Sequence, residues 1–223
     1  MATVWEDFLS AIRADIQDTG ETPKYSDEML FVYLGDALND YSMWFPLRVD
    51  QTELEGSGTG PYALPDDYIA DLLVECPEDR FLERRGPRPG IRYPTQSGKP
   101  FFYYTQGGSL YLNSSPYDAD GVFLTYESLH PTPTAWNDAE TEFTVPVKDR
   151  ELLRIFIKAK IMESVRTKQA ALDRFKSRFE SGSDRQDNPL LPEVEELYAD
   201  YYRKISARRG GGTVLLYRSG RHR

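Results

Sequence analysis

Four segments of the chain place apolar residues at the three- and four-residue spacing of one helix face. In the first, Trp5, Phe8 and Ile12 have this spacing, and Thr3 with Glu6 is a pair spaced for a capping box. The third would be about 30 residues long, or about 45 Å. The predicted helices are Val4 to Asp18, Ser26 as N-cap to the stop at Pro46, Lys148 to about Phe179, and Pro192 at the first helical position to Ile205.

The middle of the chain carries a β pattern instead. Two runs rich in aromatic residues, 101–106 and 109–113, flank Gly107-Gly108, and two glycines between such runs predict a tight hairpin turn with positive φ at both positions. A third strand is predicted at 121–128, and we expect the three strands to form an antiparallel meander. The apolar stretch from Ile69 is expected to end as a strand at Cys76.

The order of helices, then strands, then helices indicates an α+β protein. We predict a helical bundle of two amino-terminal helices, a long helix and a carboxy-terminal helix, with an inserted antiparallel β module and an extended carboxy-terminal arm. The predicted divisions are 1–48 for the amino-terminal helices, 49–147 for the β module with its long loops, 148–207 for the carboxy-terminal helices and 208–223 for the arm.

The formal net charge of −9 is divided unevenly along the chain. From Arg203 to the end there are seven Lys or Arg and no Asp or Glu, so the first 202 residues carry −16. A basic end on an acidic body indicates either a solvated tail or an arm that docks on an acidic protein surface or on nucleic acid. The acidic body repels phosphate, which argues against nucleic acid as the main ligand.

The basic end also holds a short β-prone segment. Gly210-Gly211-Gly212 predicts a hinge, because glycine disfavours helix, and the apolar segment 214–217 lies beyond it. A lone apolar strand cannot bury itself locally, so we expect it to join a sheet edge or fill a groove, in its own chain or in another. The residues predicted to dock are Arg208, Arg209, Val214, Leu215, Leu216, Tyr217, Arg218, Arg221 and Arg223.

Two further sets of residues are candidates for contacts between subunits. The second helix is apolar on more than one face at its start, which predicts burial on two sides and places Phe31 and Tyr33 against a neighbour. The loop 77–100 is rich in proline and arginine, and Arg84, Arg85 and Arg88 are predicted to meet a neighbouring subunit. An alternative function is a nucleic-acid-binding module that uses this cluster, from Arg80 to Arg92, together with the basic tail.

Motifs for catalysis and for metal binding are missing from the sequence. There is no phosphate-binding loop of the P-loop type, no nucleophile elbow and only one cysteine, Cys76, beside two histidines, His130 and His222. A glycan hydrolase with Asp66 or Asp67 as the acid is a minor alternative, since two carboxylates can hydrolyse a glycosidic bond. We therefore expect no enzyme activity, no catalytic or metal-binding residue, no cofactor and no membrane span.

Several short motifs occur in an order that resembles a known family. Leu64-Pro65-Asp66-Asp67 precedes a strand, Leu110-Tyr111-Leu112 leads to a proline in the hairpin, Leu124-Thr125-Tyr126 makes the next strand, and a long helix begins near Asp149. Over roughly residues 5–205 this arrangement resembles the head-to-tail connector (tail adaptor) proteins of tailed bacteriophages. The arginine-rich loop and the glycine-rich loop match no part of that pattern.

The resemblance implies a structural protein of the virion. It implies a homo-oligomeric ring, commonly of about twelve copies, that lies beneath the portal protein, extends the DNA channel and offers a platform to a downstream tail or nozzle protein. Genomic DNA would pass through the ring without sequence-specific binding. The protein would be assembled in the host cytoplasm and would reside in the neck between head and tail, with its basic arm reaching the portal ring.

Overall fold

The computed structural model describes residues 3–86, 98–117, 120–177 and 190–209. These residues fall into two compact units, a helical unit from Met1–Trp44 and Pro131–Arg223 and a β unit from Phe45–His130. The predicted α+β class, with a helical part and an inserted β part, is confirmed.

The bounds of the elements follow the chain order. The helical unit contains α1 (Val4–Asp15), α2 (Asp27–Trp44), a turn of 3-10 helix (Val147–Asp149), α3 (Arg150–Ser177) and α4 (Leu190–Arg208). The β unit contains β1 (Leu47–Glu53), β2 (Tyr62–Ala63), β3 (Tyr68–Glu75), β4 (Glu83–Arg84), β5 (Phe102–Gln106), β6 (Ser109–Leu112) and β7 (Phe123–Ser128).

Local capping fixes where the first two helices begin. The Thr3 hydroxyl accepts from the Glu6 amide at 3.2 Å, and the Glu6 carboxylate accepts from the Thr3 amide at 2.7 Å, which confirms the capping box. The Ser26 hydroxyl accepts from the Met29 amide at 3.3 Å, as an N-cap does. Helix α4 begins at Leu190, two residues before the predicted start at Pro192.

The apolar core of the helical unit contains a buried hydrogen bond between α2 and the start of α3. Leu34, Leu38 and Leu153 are almost fully buried. Among them the Tyr41 hydroxyl donates to Asp149 Oδ2 at 3.1 Å, and the pKa of Tyr41 is raised by burial and by the Asp149 charge. Asp149 precedes α3, so this bond ties α2 to the start of α3.

The segment after the β unit packs on α1. Trp5 and Phe143 stack with their ring centroids 4.1 Å apart, and the Trp5 indole donates to the Thr141 carbonyl at 2.9 Å. The sequence division placed this segment, within 49–147, in the β module, whereas the structure groups it with the helices. An irregular segment has no periodicity, so its sequence does not reveal which unit its aromatic residues contact.

The β unit consists of two sheets that enclose a common core. The first sheet is antiparallel with the strand order β1-β7-β3, and the second has the order β2-β6-β5-β4, in which only β4 and β5 run parallel. Side chains from both sheets form the core: Leu54, Tyr62, Val74, Cys76, Leu82, Tyr103, Leu110, Leu112, Val122, Leu124 and Tyr126.

The glycine hairpin is confirmed in detail. Gln106 pairs with Ser109 across a two-residue turn, and Gly107 and Gly108 have φ values of 60° and 77°. Only glycine adopts such angles in succession without steric cost, so the pair sets the β5–β6 register.

The predicted meander is wrong, because β7 pairs with β1 and β3 instead of β6. The Asn113 side-chain oxygen accepts from the amides of Phe101 and Phe102 at 2.9 and 3.0 Å, and this ends the β5–β6 ladder. The chain then crosses to the other sheet. The sequence pattern does not mark β1 as a strand. Without β1, the nearest available pairing partner for β7 in the sequence is β6.

His130 joins the two ends of the β unit. Its ring Nε2 lies 2.9 Å from the carbonyl oxygen of Phe45, the first residue of the unit, and the side chain is buried. Burial lowers the pKa of His130, so the neutral ring is the folded form.

Acid should therefore destabilise the β unit. Because the pKa of His130 is lower in the folded chain than its unfolded value of about 6.5, stability is complete above that pH and falls as the pH drops below it. The urea midpoint from circular dichroism should decrease between pH 7.5 and pH 5.5. In His130→Gln, which keeps a hydrogen-bond donor for Phe45, that decrease should become smaller; an unchanged pH dependence would contradict this role.

Removal of the Tyr41 hydroxyl should destabilise the helical unit. In Tyr41→Phe the buried Asp149 carboxylate loses a donor, at a cost of about 1–3 kcal/mol in the free energy of unfolding. The matched control is Tyr33→Phe at a half-buried position of the same helix, which should cost less than about 0.5 kcal/mol. Tryptophan fluorescence during urea unfolding measures both, since Trp5, Trp44 and Trp136 all lie in this unit.

Candidate assembly surfaces

The root of the predicted arm is attached to its own helical unit. Arg208 Nε lies 3.2 Å from Asp149 Oδ1, and the Arg208 guanidinium donates to the Lys148 carbonyl at 2.8 Å. The Asp149 side chain is 7% exposed and that of Arg208 is 39% exposed. Arg208 thus neutralises a buried acid while it keeps part of its surface in water.

Arg209 also contacts its own unit. Its guanidinium carbon lies 5.5 Å from the centre of the Trp44 ring, within cation–π range. These two arginines hold the end of α4 to α2 and to the start of α3. The other predicted docking residues, Val214, Leu215, Leu216, Tyr217, Arg218, Arg221 and Arg223, lie outside the described residues, so docking by the arm stays a prediction.

Helix α2 exposes other apolar residues more fully than Phe31 and Tyr33, whose predicted contact with a neighbouring subunit stays a prediction. Phe31 packs edge-on against Trp136 of its own chain, with centroids 5.5 Å apart, and Tyr33 is half-buried. The exposed apolar side chains are Val32 at 61% and Met43 at 64%. Eleven residues are about three turns, so these two lie on the same face. The buried stripe of the helix, placed on a helical wheel, would have revealed them from the sequence.

A bulge in β3 exposes two leucines. Asp71 pairs with Tyr126 and Leu73 with Thr125, so Leu72 is an extra residue in the ladder. Leu72 and Leu73 are 42% and 40% exposed. Phe81, which bridges to Glu75 at the end of the same strand, is 62% exposed. The sequence concealed this patch, because the acidic residues of the stretch, Asp71 and Glu75, are buried while Leu72 and Leu73 face outward.

Arg84 supports the β unit through a buried acid. Arg84 lies 3.3 Å from Asp71 Oδ1, and the Asp71 side chain is 1% exposed. The same carboxylate accepts from the Tyr68 hydroxyl at 2.6 Å and from the Tyr103 hydroxyl, and burial raises the pKa of Tyr68 to about 12. This cluster links β3 to β5, that is, one sheet to the other.

Arg85 is likewise engaged within the β unit. It pairs with Glu83 at 2.7 Å, and its guanidinium carbon lies 4.8 Å from the centre of the Phe102 ring. Arg84 and Arg85 remain 59% and 43% exposed at the side chain, so contact with a neighbour stays a prediction, while Arg88 lies outside the described residues.

The candidate acids, thiol and imidazole have structural partners. Burial raises the pKa of Tyr126 to about 12, and its protonated hydroxyl donates to Asp67 at 3.1 Å. Asp66 is exposed. Cys76 is buried, which raises the pKa of its thiol to about 11 and suits a side chain of the core. His130 holds the Phe45 carbonyl from a buried position.

The described residues contain neither a cluster of metal ligands nor a helix suited to span a membrane. Across 3–86, 98–117, 120–177 and 190–209, no three His, Cys, Asp or Glu side chains come together as metal ligands. None of the helices in that part of the chain combines the length and the apolar character that crossing a bilayer requires. The exposed apolar side chains of α2 and β3 are the described features that suit contact with another protein.

Comparison with known proteins agrees with this interpretation. The profile of the family described as SU10 adaptor protein matches residues 5–206, which is most of the chain. Curated proteins yield no match. The family supports a phage adaptor, and with it a structural component of the virion. The chain belongs to the SU10 adaptor protein family.

Proposed function

We propose that this phage adaptor is a head-to-tail connector that forms a ring beneath the portal protein. The ring, of about twelve copies, extends the DNA channel and provides the platform on which a downstream tail or nozzle protein attaches. It is assembled in the host cytoplasm and stays in the neck of the virion. The observation that carries this proposal is the presence of separate exposed apolar patches in each unit of an adaptor-family chain.

A ring requires two different surfaces on each subunit. The α2 patch consists of two separate apolar side chains, Val32 and Met43, about 16 Å apart on one face with Asp36 and Asn39 exposed between them. The β3 patch consists of Leu72, Leu73 and Phe81. Heterologous contacts join one patch to a different one on the next copy, and they close into a ring when the rotation allows it. Exposed apolar groups of this kind favour protein interfaces.

The charge distribution supports the passage of DNA. With −16 on the first 202 residues, the wall of a channel built from these subunits repels phosphate over about a Debye length, about 8 Å at physiological salt. Repulsion keeps DNA from adhering during ejection and needs no sequence-specific contact. The basic end of the chain serves the portal contact instead.

A charge placed in either patch should prevent ring formation. Val32→Lys and Leu73→Lys would each bury an unpaired ammonium group in an interface, and we expect at least about a tenfold loss of ring assembly on the portal. Light scattering of the mixed proteins measures the assembled mass.

The controls add the same charge at exposed sites outside both patches. Ala14→Lys on α1 and Ala63→Lys on β2 should assemble as the parent chain does. Normal assembly of Val32→Lys and of Leu73→Lys would remove these patches from the proposed interface.

Deletion of 213–223 should abolish binding to the portal ring and leave the fold intact. The deletion spares Arg208 and Arg209, whose contacts hold α4 to its unit, so circular dichroism and thermal unfolding should match those of the full chain. Replacement of 214–217 by serine separates the apolar contribution from that of the arginines. Undiminished binding of the truncated chain to the portal would refute docking by the arm.

A further inference from the structure

An open groove runs along the surface between α3 and α4. Its volume is about 830 Å³, within the range of roughly 300–1,000 Å³ that is typical of ligand pockets. Met162 of α3 and Leu197 and Tyr202 of α4 give it apolar lining, and all three side chains are half-buried. The assembly patches described above do not include this surface.

The α4 rim of the groove is acidic. Glu193 and Glu196 are exposed there, and neither has an ion-pair partner among the described residues. Asp200 farther along is already paired with Lys204 at 3.2 Å, and Lys158 lies on the α3 side. The groove therefore offers apolar contact along its length and, at the end where α4 begins, negative charge that has no ion-pair partner among the described residues.

The chain beyond α4 has the complementary chemistry and the matching length. Its apolar residues 214–217 are followed by Arg218. Five extended residues span about 16 Å, and the ten residues of α4 from Arg203 back to Glu193 span about 15 Å. Residues 209–212, three of them glycine, are sufficient to reverse the chain at the end of the helix. In this register Arg218 reaches the unpaired glutamates.

We propose that the α3–α4 groove binds the chain's own segment Val214–Arg218 in the free subunit. The segment lies antiparallel to α4, with its apolar side chains on Leu197 and Met162 and with Arg218 beside Glu193 and Glu196. The groove shelters the apolar part of the arm before assembly, and a partner ring competes for it. The binding itself concerns the free subunit and is independent of the portal proposal.

Disulfide trapping in the full-length chain tests this contact. The pair Leu197→Cys with Leu216→Cys should form an intramolecular disulfide at least about tenfold faster than a control pair, because the groove raises the local concentration of the arm. The control is Glu195→Cys with Leu216→Cys, on the same helix at a similar distance but about 200° around the helix axis. The native thiol of Cys76 is buried and does not compete.

The outcomes separate the possible occupants. Fast intramolecular closure of the 197–216 pair supports the proposal. Disulfide-linked dimers would mean that a second copy supplies the segment and would overturn binding within one chain. Equal rates for the two pairs would overturn the groove as the site. The measurement contains no portal, so failure here leaves portal docking intact, and failure of portal docking leaves this result intact.

Hydrogen exchange gives a second readout without new cysteines. In the free subunit, Leu197→Glu should increase the exchange rates of the amides of 213–217 by about tenfold, because it places a charge on the apolar lining. Glu195→Gln should leave those rates unchanged. Equal exchange rates in the parent chain and in Leu197→Glu would contradict the proposal.

Discussion

The proposed function depends on the apolar side chains that remain exposed to water among the described residues. Val32 and Met43 on α2, and Leu73 and Phe81 at β3, are between 40% and 64% exposed, although each unit has a well-filled core of its own. Burial of apolar area is the main driving force of protein association, at about 25 cal/mol per Å². A subunit with such patches in two places is suited to contact two neighbours through different surfaces, which is what a ring of adaptor subunits requires.

Each unit stabilises its architecture around a buried carboxylate. Asp149 accepts from Tyr41 and lies beside Arg208, and Asp71 accepts from two tyrosines and lies beside Arg84. A buried carboxylate is costly unless hydrogen bonds and an opposite charge satisfy it, so the partly exposed arginine is needed for the fold. Arg208, which the sequence predicted for portal docking, and Arg84, which it predicted for a contact between subunits, thus also have structural roles. The consequence for Arg208 is that the arm leaves from a fixed point.

The features that the sequence predicted correctly are those that depend on residues close together in the chain. The capping box at Thr3, the length of α3 and the Gly107-Gly108 turn each depend on residues close together in the chain, and the structure confirms all three. Strand pairing depends on distant partners, so β7 was assigned to the wrong sheet when β1 went unrecognised. Exposure was the hardest property to predict, because the strand with the bulge buries its acidic residues, Asp71 and Glu75, and exposes Leu72 and Leu73. The family resemblance was carried by short motifs in the correct order, and the match over residues 5–206 agrees with it.

Electron microscopy of the purified chain, alone and mixed with its portal protein, tests the central claim most directly. The account predicts a closed ring of adaptor subunits attached to one face of the portal ring, with a continuous axial channel through both. A chain that remains dispersed in the presence of intact portal rings, or that attaches as single copies without contact between neighbours, would contradict it.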